Sequence, residues 1–248
     1  MKILFSPSED KNINYKGSRN PNFLRDLLFG ETLRNEFFQS YVDFLNNASI
    51  KDINELLGSK DSNTINKCKN IQSSTLTKAI YLYSGVGYRA LDISSIPKDS
   101  LEFIYESVII FSNLFGPIRA SDKIPYYKLK QGKKINNQSI NHLYNNFQRV
   151  FAAFLDSNID SNYNEIIDLR AKFYANTIKL DIPHTQVEFF KNGKKISHLS
   201  KYYKGLLLRE IALKKELVFS FKNARVVNTR QEGSARILEF EILGEILE

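Results

Sequence analysis

The stretch YLYSGVGYRALD (residues 81–92) has the residue types needed to hold a phosphate. Gly85-Val86-Gly87 makes a tight turn with no Cβ at either glycine, so an anion can approach the backbone closely. A helix beginning at Tyr88 would point its amino-terminal amides and dipole at the same anion. Arg89 can then offer two N–H groups to a phosphate oxygen. The same residues read equally as a strand-to-helix turn with no ligand. The preceding TLTKAIYLY (75–83) fits either a helix or a strand.

Three further clusters carry chemistry. Glu9-Asp10-Lys11 follows the first expected strand, where carboxylates often line a crevice. Glu9 is the candidate base there, and Lys11 a phosphate clamp or a salt-bridge partner. In RASDKIPYYKLKQGKK (119–134), Arg119, Lys123, Lys128, Lys130, Lys133 and Lys134 are interleaved with Tyr126 and Tyr127. Such cations neutralise phosphates, and tyrosines that stack on unpaired bases are worth ~1–3 kcal/mol each. The alternative is a solvated hairpin whose tyrosines belong to the core. Asp122 is either an orienting group for Arg119 or a second candidate acid–base residue. In KYYKGLLLREIALKK (201–215), Lys201, Lys204 and Arg209 lie near one edge of a helix whose buried side is Leu206–Leu208 and Ile211. Gly205 costs ~1 kcal/mol of helix propensity against Ala, so its place there suits close approach of a backbone or a ligand. A plain wet face is the competing reading.

Other chemistries lack their residues. His142, His184 and His198 are far apart, there is no Cys-x-x-Cys, and no metal is expected. There is no G-x-S-x-G elbow, no Walker loop and no six-residue glycine fingerprint, so no cofactor is expected either. Cys68 sits between Lys67 and Lys69, which favours a thiolate, but it occupies an apolar helical position and reads as core.

The scaffold that positions these groups is bounded by composition. The 248 residues are 42% hydrophobic and 25% charged, which suits a folded soluble domain. The net charge of +8 points to an anionic partner, nucleic acid or a membrane surface, although a Lys- and Asn-rich composition contributes to it. One cysteine permits no internal disulfide, as in a reducing cytoplasm. MKILFSPSEDK is too short an apolar run for a leader, and no stretch reaches ~18 apolar residues. A cytosolic chain with no membrane partner is expected.

Strands are expected at Lys2–Phe5, Val108–Phe111 and 165–169, the second as a buried central strand because its apolar run is continuous and β-branched. Hairpins are expected at Asn192-Gly193 and at Glu232-Gly233-Ser234. Helical periodicity runs through residues 20–57, with Leu33, Phe37, Tyr41 and Phe44 on one face. It recurs after a cap at Asp61 or Ser62, in 139–156 as one amphipathic helix, and in 197–217. The sum is α+β: a single domain with a mixed β-sheet covered by several helices.

Several segments together resemble the YaaA peroxide stress family. ILFSPSEDK is similar to that family's strand, Ser/Pro turn and lysine, and IYLYSGVGYRALD to its glycine–tyrosine segment. In NLFGPIRASDKIPYYKLKQG, the residues Gly116, Arg119, Asp122, Tyr127, Leu129 and Gly132 keep the family spacing, with Lys128 where Arg is usual. In HLSKYYKGLLLREI, Lys201, Lys204, Gly205 and Arg209 match. The family's Ser-x-Glu-Tyr is here RAKFY, of which only Tyr174 survives, and an aromatic pair in the middle helix is reduced to Phe147.

The resemblance implies residues 1–248 as a single YaaA-like domain with a helix-hairpin-helix-like element and a basic cleft. It also implies DNA binding in the cytosolic response to hydrogen peroxide. The expected binding set is Lys11, Gly85, Gly87, Arg89, Arg119, Lys123, Lys128, Lys130, Lys201, Lys204 and Arg209, acting on duplex or structured DNA with little sequence preference. About five neutralised phosphates would give a log–log salt slope of roughly −4 to −5. A monomer is favoured, and no residue pattern establishes catalysis. The alternative is an enzyme on nucleic acid or nucleotides using Glu9 or Asp122. Iron handling is disfavoured by the scarcity of His and Cys.

Overall fold

The chain enters a mixed sheet at its first residues. In the computed structural model, which describes residues 1–157, 165–197 and 199–244, β1 (Lys2–Phe5) lies in the interior of that sheet. Pro7, two residues on, cannot donate to a ladder, so the strand does not continue. Four helices come next: α1 (Phe23–Asp26), α2 (Asn35–Asn47), α3 (Ile50–Leu57) and α4 (Ser62–Lys69). Helix α2 buries Phe37, Phe38, Tyr41, Val42 and Leu45, while Leu33 and Phe44 are only partly buried. Ser49 caps α3 by accepting the Asp52 N–H, and Asp61 caps α4 by accepting the Thr64 N–H. Gly58 closes α3 in the left-handed region at φ +63°.

The chain then forms β2 (Leu76–Lys78), α5 (Ala79–Leu82), α6 (Val86–Leu91), α7 (Lys98–Ser107), β3 (Val108–Ser112), β4 (Gly116–Arg119) and β5 (Lys123–Pro125). The ambiguous TLTKAIYLY therefore divides, giving a short strand and then one helical turn before the glycines. The expected single helix over 139–156 is two, α8 (Ile140–Asn145) and α9 (Gln148–Asp156), interrupted at Asn146-Phe147. The wholly buried Phe147 at the break keeps the apolar face continuous, which is why the periodicity hides the interruption. Next come β6 (Ile166–Asp168), α10 (Lys172–Ala175), β7 (His184–Lys191), β8 (Lys194–Lys195), α11 (Ser200–Lys214), β9 (Ser220–Phe221), β10 (Ala224–Glu232) and β11 (Ala235–Ile242). The β7–β8 turn has Asn192 and Gly193 both at positive φ, as a two-residue hairpin requires. The β10–β11 hairpin turns at Gly233.

The strand order is β4-β3-β1-β6-β7-β11-β10-β9, with β8 beside β7. Strands β3, β1, β6, β7 and β11 run parallel, and the outer partners are antiparallel. All of β3 is buried, as its unbroken apolar run requires. Strands β2 and β5 form a separate antiparallel pair. The result is one α+β domain with a mixed sheet and covering helices. Among the described residues no helix is long and apolar enough to cross a membrane.

Candidate functional site

Because β1, β3 and β6 are parallel, the loops leaving their carboxyl ends emerge on one side, where open sheets usually bind ligands. The loop after β1 is fastened there by a bridge between Lys11 and Tyr83, with the Asn12 N–H donating to Leu82 O and the Ser84 N–H to Asp10 O. The Lys11 ammonium donates to Ser8 O at 2.8 Å. It lies 4.2 Å from the Tyr127 ring centre and 5.2 Å from that of Tyr83. Burial, followed by the charge of Lys128, brings the Lys11 amine down to about 7 against the opposing pull of Cys68, Glu9 and Asp10. Behind it a hydroxyl chain has a defined direction. Ser112 Oγ accepts the Leu114 and Phe115 N–H groups and so donates to Tyr127 (2.8 Å), leaving the Tyr127 proton for Tyr83 (2.9 Å). Glu9 accepts the Gln131 N–H at 3.0 Å and, with Lys128, Leu129 and Lys130, lines a cavity of about 190 Å³. Asn113 donates through Nδ2 to Leu129 O, and its Oδ1 is buried without a partner.

The end of β6 carries a buried ion pair. Asp168 accepts Arg170 Nε and Nη2 at 2.8 Å each, and the Arg170 guanidinium lies 4.3 Å from the Phe111 ring centre. Lys204 reaches in from α11 and donates to Arg170 O at 2.7 Å. Its pKa falls to about 8, chiefly through burial, with Asp168 opposing. Lys204 is thus committed to the fold, whereas Lys201, one turn earlier, is exposed.

The glycines of the opening motif act in helix packing. A Cβ on Gly205 would lie 2.0 Å from Gly87 O, and one on Gly87 would lie 2.9 Å from Lys201 O, so α6 and α11 cross backbone to backbone. A Cβ on Gly85 would meet Ser8 Oγ at 2.0 Å. The space expected for a phosphate at these glycines is filled by the protein itself. Arg89 remains exposed, with Nη1 on Ser84 O at 2.9 Å. Arg209 closes the carbonyl end of α6 by donating from Nη1 to Leu91 O and Asp92 O. Arg89, Arg209 and Lys222 border a groove of about 640 Å³ whose apolar surface includes Val86, Leu199, Tyr202 and Leu206. Lys222 comes from the β9–β10 turn at φ +44°. No charge cluster or helical period in the sequence marks it.

Segment 119–134 does not line one cleft. Arg119 is opposite Ile109 at the amino end of β3, and Lys123 is opposite Lys78 in the small sheet. Lys128 and Lys130 lie beyond the other end of β3, where Asn113 Nδ2 donates to Leu129 O. Tyr126 and Tyr127 are core residues and offer no stacking surface, because each aromatic body is packed away from water. Asp122 is buried, accepts the Leu28 and Arg119 N–H groups at 2.9 Å, and pairs with Arg119 at 3.3 Å. Burial raises its pKa against those bonds. Glu9 and Asp122 thus stand at opposite ends of the sheet and do not form an acid–base pair.

Cys68 is wholly buried on α4, and burial pushes its thiol up. It is expected to stay unlabelled by a thiol reagent in the native protein and to react fully after unfolding. Native-state labelling would contradict its placement. Of the three histidines, His198 lies outside the described residues, and His184 is held by Ile182 O and Gln186. No group of three His, Cys, Asp or Glu among the described residues could hold a metal ion.

Comparison with known proteins adds a family. The one described as "Peroxide stress protein YaaA" matches residues 1–223. An uncharacterized protein of Campylobacter jejuni is 38% identical over 247 residues, covering 98% of this chain and 96% of its own. A UPF0246 protein of Corynebacterium glutamicum is 32% identical over 219 residues (86% and 85% of the two chains). Another, of Malacoplasma penetrans, is 27% identical over 226 residues (85% of each).

Proposed function

The chain belongs to the YaaA peroxide stress protein family, and on that premise we propose that it serves the response to hydrogen peroxide by binding the phosphate backbone of DNA at the groove between α6 and α11. The observation that carries this reading is the convergence of Arg89, Arg209 and Lys222 on one groove from three separate elements. Lys201, on the first turn of α11, is exposed as well. Arg89 spends one terminal nitrogen on Ser84 O, and Arg209 one on Leu91 O and Asp92 O, which orients each guanidinium and leaves its other nitrogens for phosphate oxygens. The net charge of +8 supports association with a polyanion.

Contacts of this kind give affinity with little sequence preference. With Lys204 committed to the fold and Lys128 and Lys130 placed elsewhere, about four cations remain for phosphates. The log–log slope of duplex affinity against salt is expected near −3 to −4, shallower than the sequence alone suggests. Binding titrations over a salt series check this, and an affinity independent of salt would overturn the reading.

A further inference from the structure

We propose that the groove between α6 and α11 seats one unpaired nucleobase on its apolar floor, while the cations on its rim hold the phosphates to either side. The inference rests on the reading of this groove as a phosphate-binding site and adds the part of the nucleotide that the floor takes.

The two helices make the floor where they cross. They touch backbone to backbone at Gly87 and Gly205, and residues flanking that contact line the groove. Val86 and Ala90 come from α6. Tyr202 and Leu206, one turn apart, come from α11, and Leu199 lies just before them. Val86 keeps 41% of its surface exposed, and Leu199 and Tyr202 are half-buried. Such a floor does not serve phosphates, because a phosphate loses hydration against apolar surface and gains no hydrogen bond there. It suits the flat, apolar face of a base, which stacks on an aromatic ring whatever the sequence. In a paired duplex the faces of each base are covered by its neighbours. Only a nucleotide at a bulge, a gap or an unpaired strand has a free face to offer.

The rim fits the same unit. Arg89, Arg209 and Lys222 border the groove, and among the described residues none of them is in an ion pair. Asp92 also lines the groove, where its carboxylate accepts the Ser94 and Ser95 hydroxyls. Three cations against one carboxylate leave the rim net positive. The volume of about 640 Å³ lies within the ~300–1,000 Å³ of pockets that enclose drug-sized molecules, the size of a nucleotide. A strand that seats one base on the floor brings the phosphates before and after it to the rim. A free nucleoside monophosphate shares this chemistry, but it brings a single phosphate to three cations from three separate elements.

The test compares the affinity of the full-length protein for two duplexes over a salt series. One carries a single extra, unpaired thymidine. The other carries an abasic nucleotide at that place, with the same phosphates and no base. Wild type is expected to bind the base-bearing duplex at least about fivefold more tightly, the effect of one stacked base, with equal salt slopes. Tyr202→Ala is expected to bring the two affinities together. Val86→Ser, a change at an exposed position, is expected to narrow the gap even where loss of the tyrosine lowers the melting temperature. Free thymidine monophosphate is expected to displace the base-bearing duplex only far above the duplex concentration. Equal wild-type affinities for the two duplexes, both falling with salt, would overturn the inference and leave the phosphate reading standing. So would an undiminished gap in both variants, or displacement by the free nucleotide at equal concentration. Absence of salt-dependent binding to either duplex would overturn both.

Discussion

Asp168→Ala is expected to destabilise the fold by about 3–5 kcal/mol, the usual effect of removing one partner from a buried ion pair. Arg170 would stay buried with its counter-charge gone, because its guanidinium is wedged against Phe111 and tied to Tyr174 O and Ile178 O. At ~2–4 °C per kcal/mol for a chain of this size, the melting temperature should fall by roughly 6–20 °C. A double variant, Asp168→Ala with Arg170→Met, should recover part of the loss, since the penalty is mostly the stranded charge. Denaturant titrations of the three proteins check this. A single variant as stable as wild type would show that the pair contributes little. The pH dependence has a definite sign. Burial alone would raise the Asp168 pKa, but the charge and hydrogen bonds of Arg170 outweigh it and hold the carboxyl below its ordinary value. A depressed folded-state pKa gives stability that is present above the unfolded Asp range, ~3.9, and is lost as pH falls through the folded value.

Gly205→Val should cost about 3 kcal/mol, the upper part of the range for overpacking a tight contact. In an open helix a larger residue would gain roughly the ~1 kcal/mol that glycine forfeits to alanine. Here the new Cβ would lie 2.0 Å from Gly87 O and 2.8 Å from Gly87 C, and backbone cannot swing aside as a flexible side chain can. Helix α6 would have to move away from α11, taking with it Tyr88, whose hydroxyl donates to Ser6 O at the end of β1. Chemical denaturation of the variant reads the effect. Wild-type stability would mean that the two helices have slack at the crossing.

The signals that rest on local physics were legible. The unbroken apolar run of β3, the Asn192-Gly193 turn, the Asp61 cap and the leucine face of α11 each follow from side-chain type and spacing. What covers a polar or basic residue is a matter of tertiary contact and was not. Lys201 and Lys204 look alike on a helical projection, but only Lys204 lies over the end of β6, where Arg170 O accepts its hydrogen bond. Tyr126 and Tyr127 alternate with lysines as a stacking platform would, yet both pack inward. The two glycines of the 81–92 motif read as a phosphate cradle, because the helix that fills the space above Gly87 arrives more than a hundred residues later. Lys222 carries no local mark, since its place at the groove arises from distant segments brought together by the fold.

The DNA-binding account is tested most directly by the salt dependence of duplex affinity for the double variant Arg89→Ala with Lys222→Ala. Both residues are exposed, so stability should be nearly unchanged. If they hold phosphates in the groove between α6 and α11, the log–log slope should become shallower by roughly 2 and affinity should fall about equally on unrelated sequences. Unchanged affinity and an unchanged slope, at an unchanged melting temperature, would contradict the account.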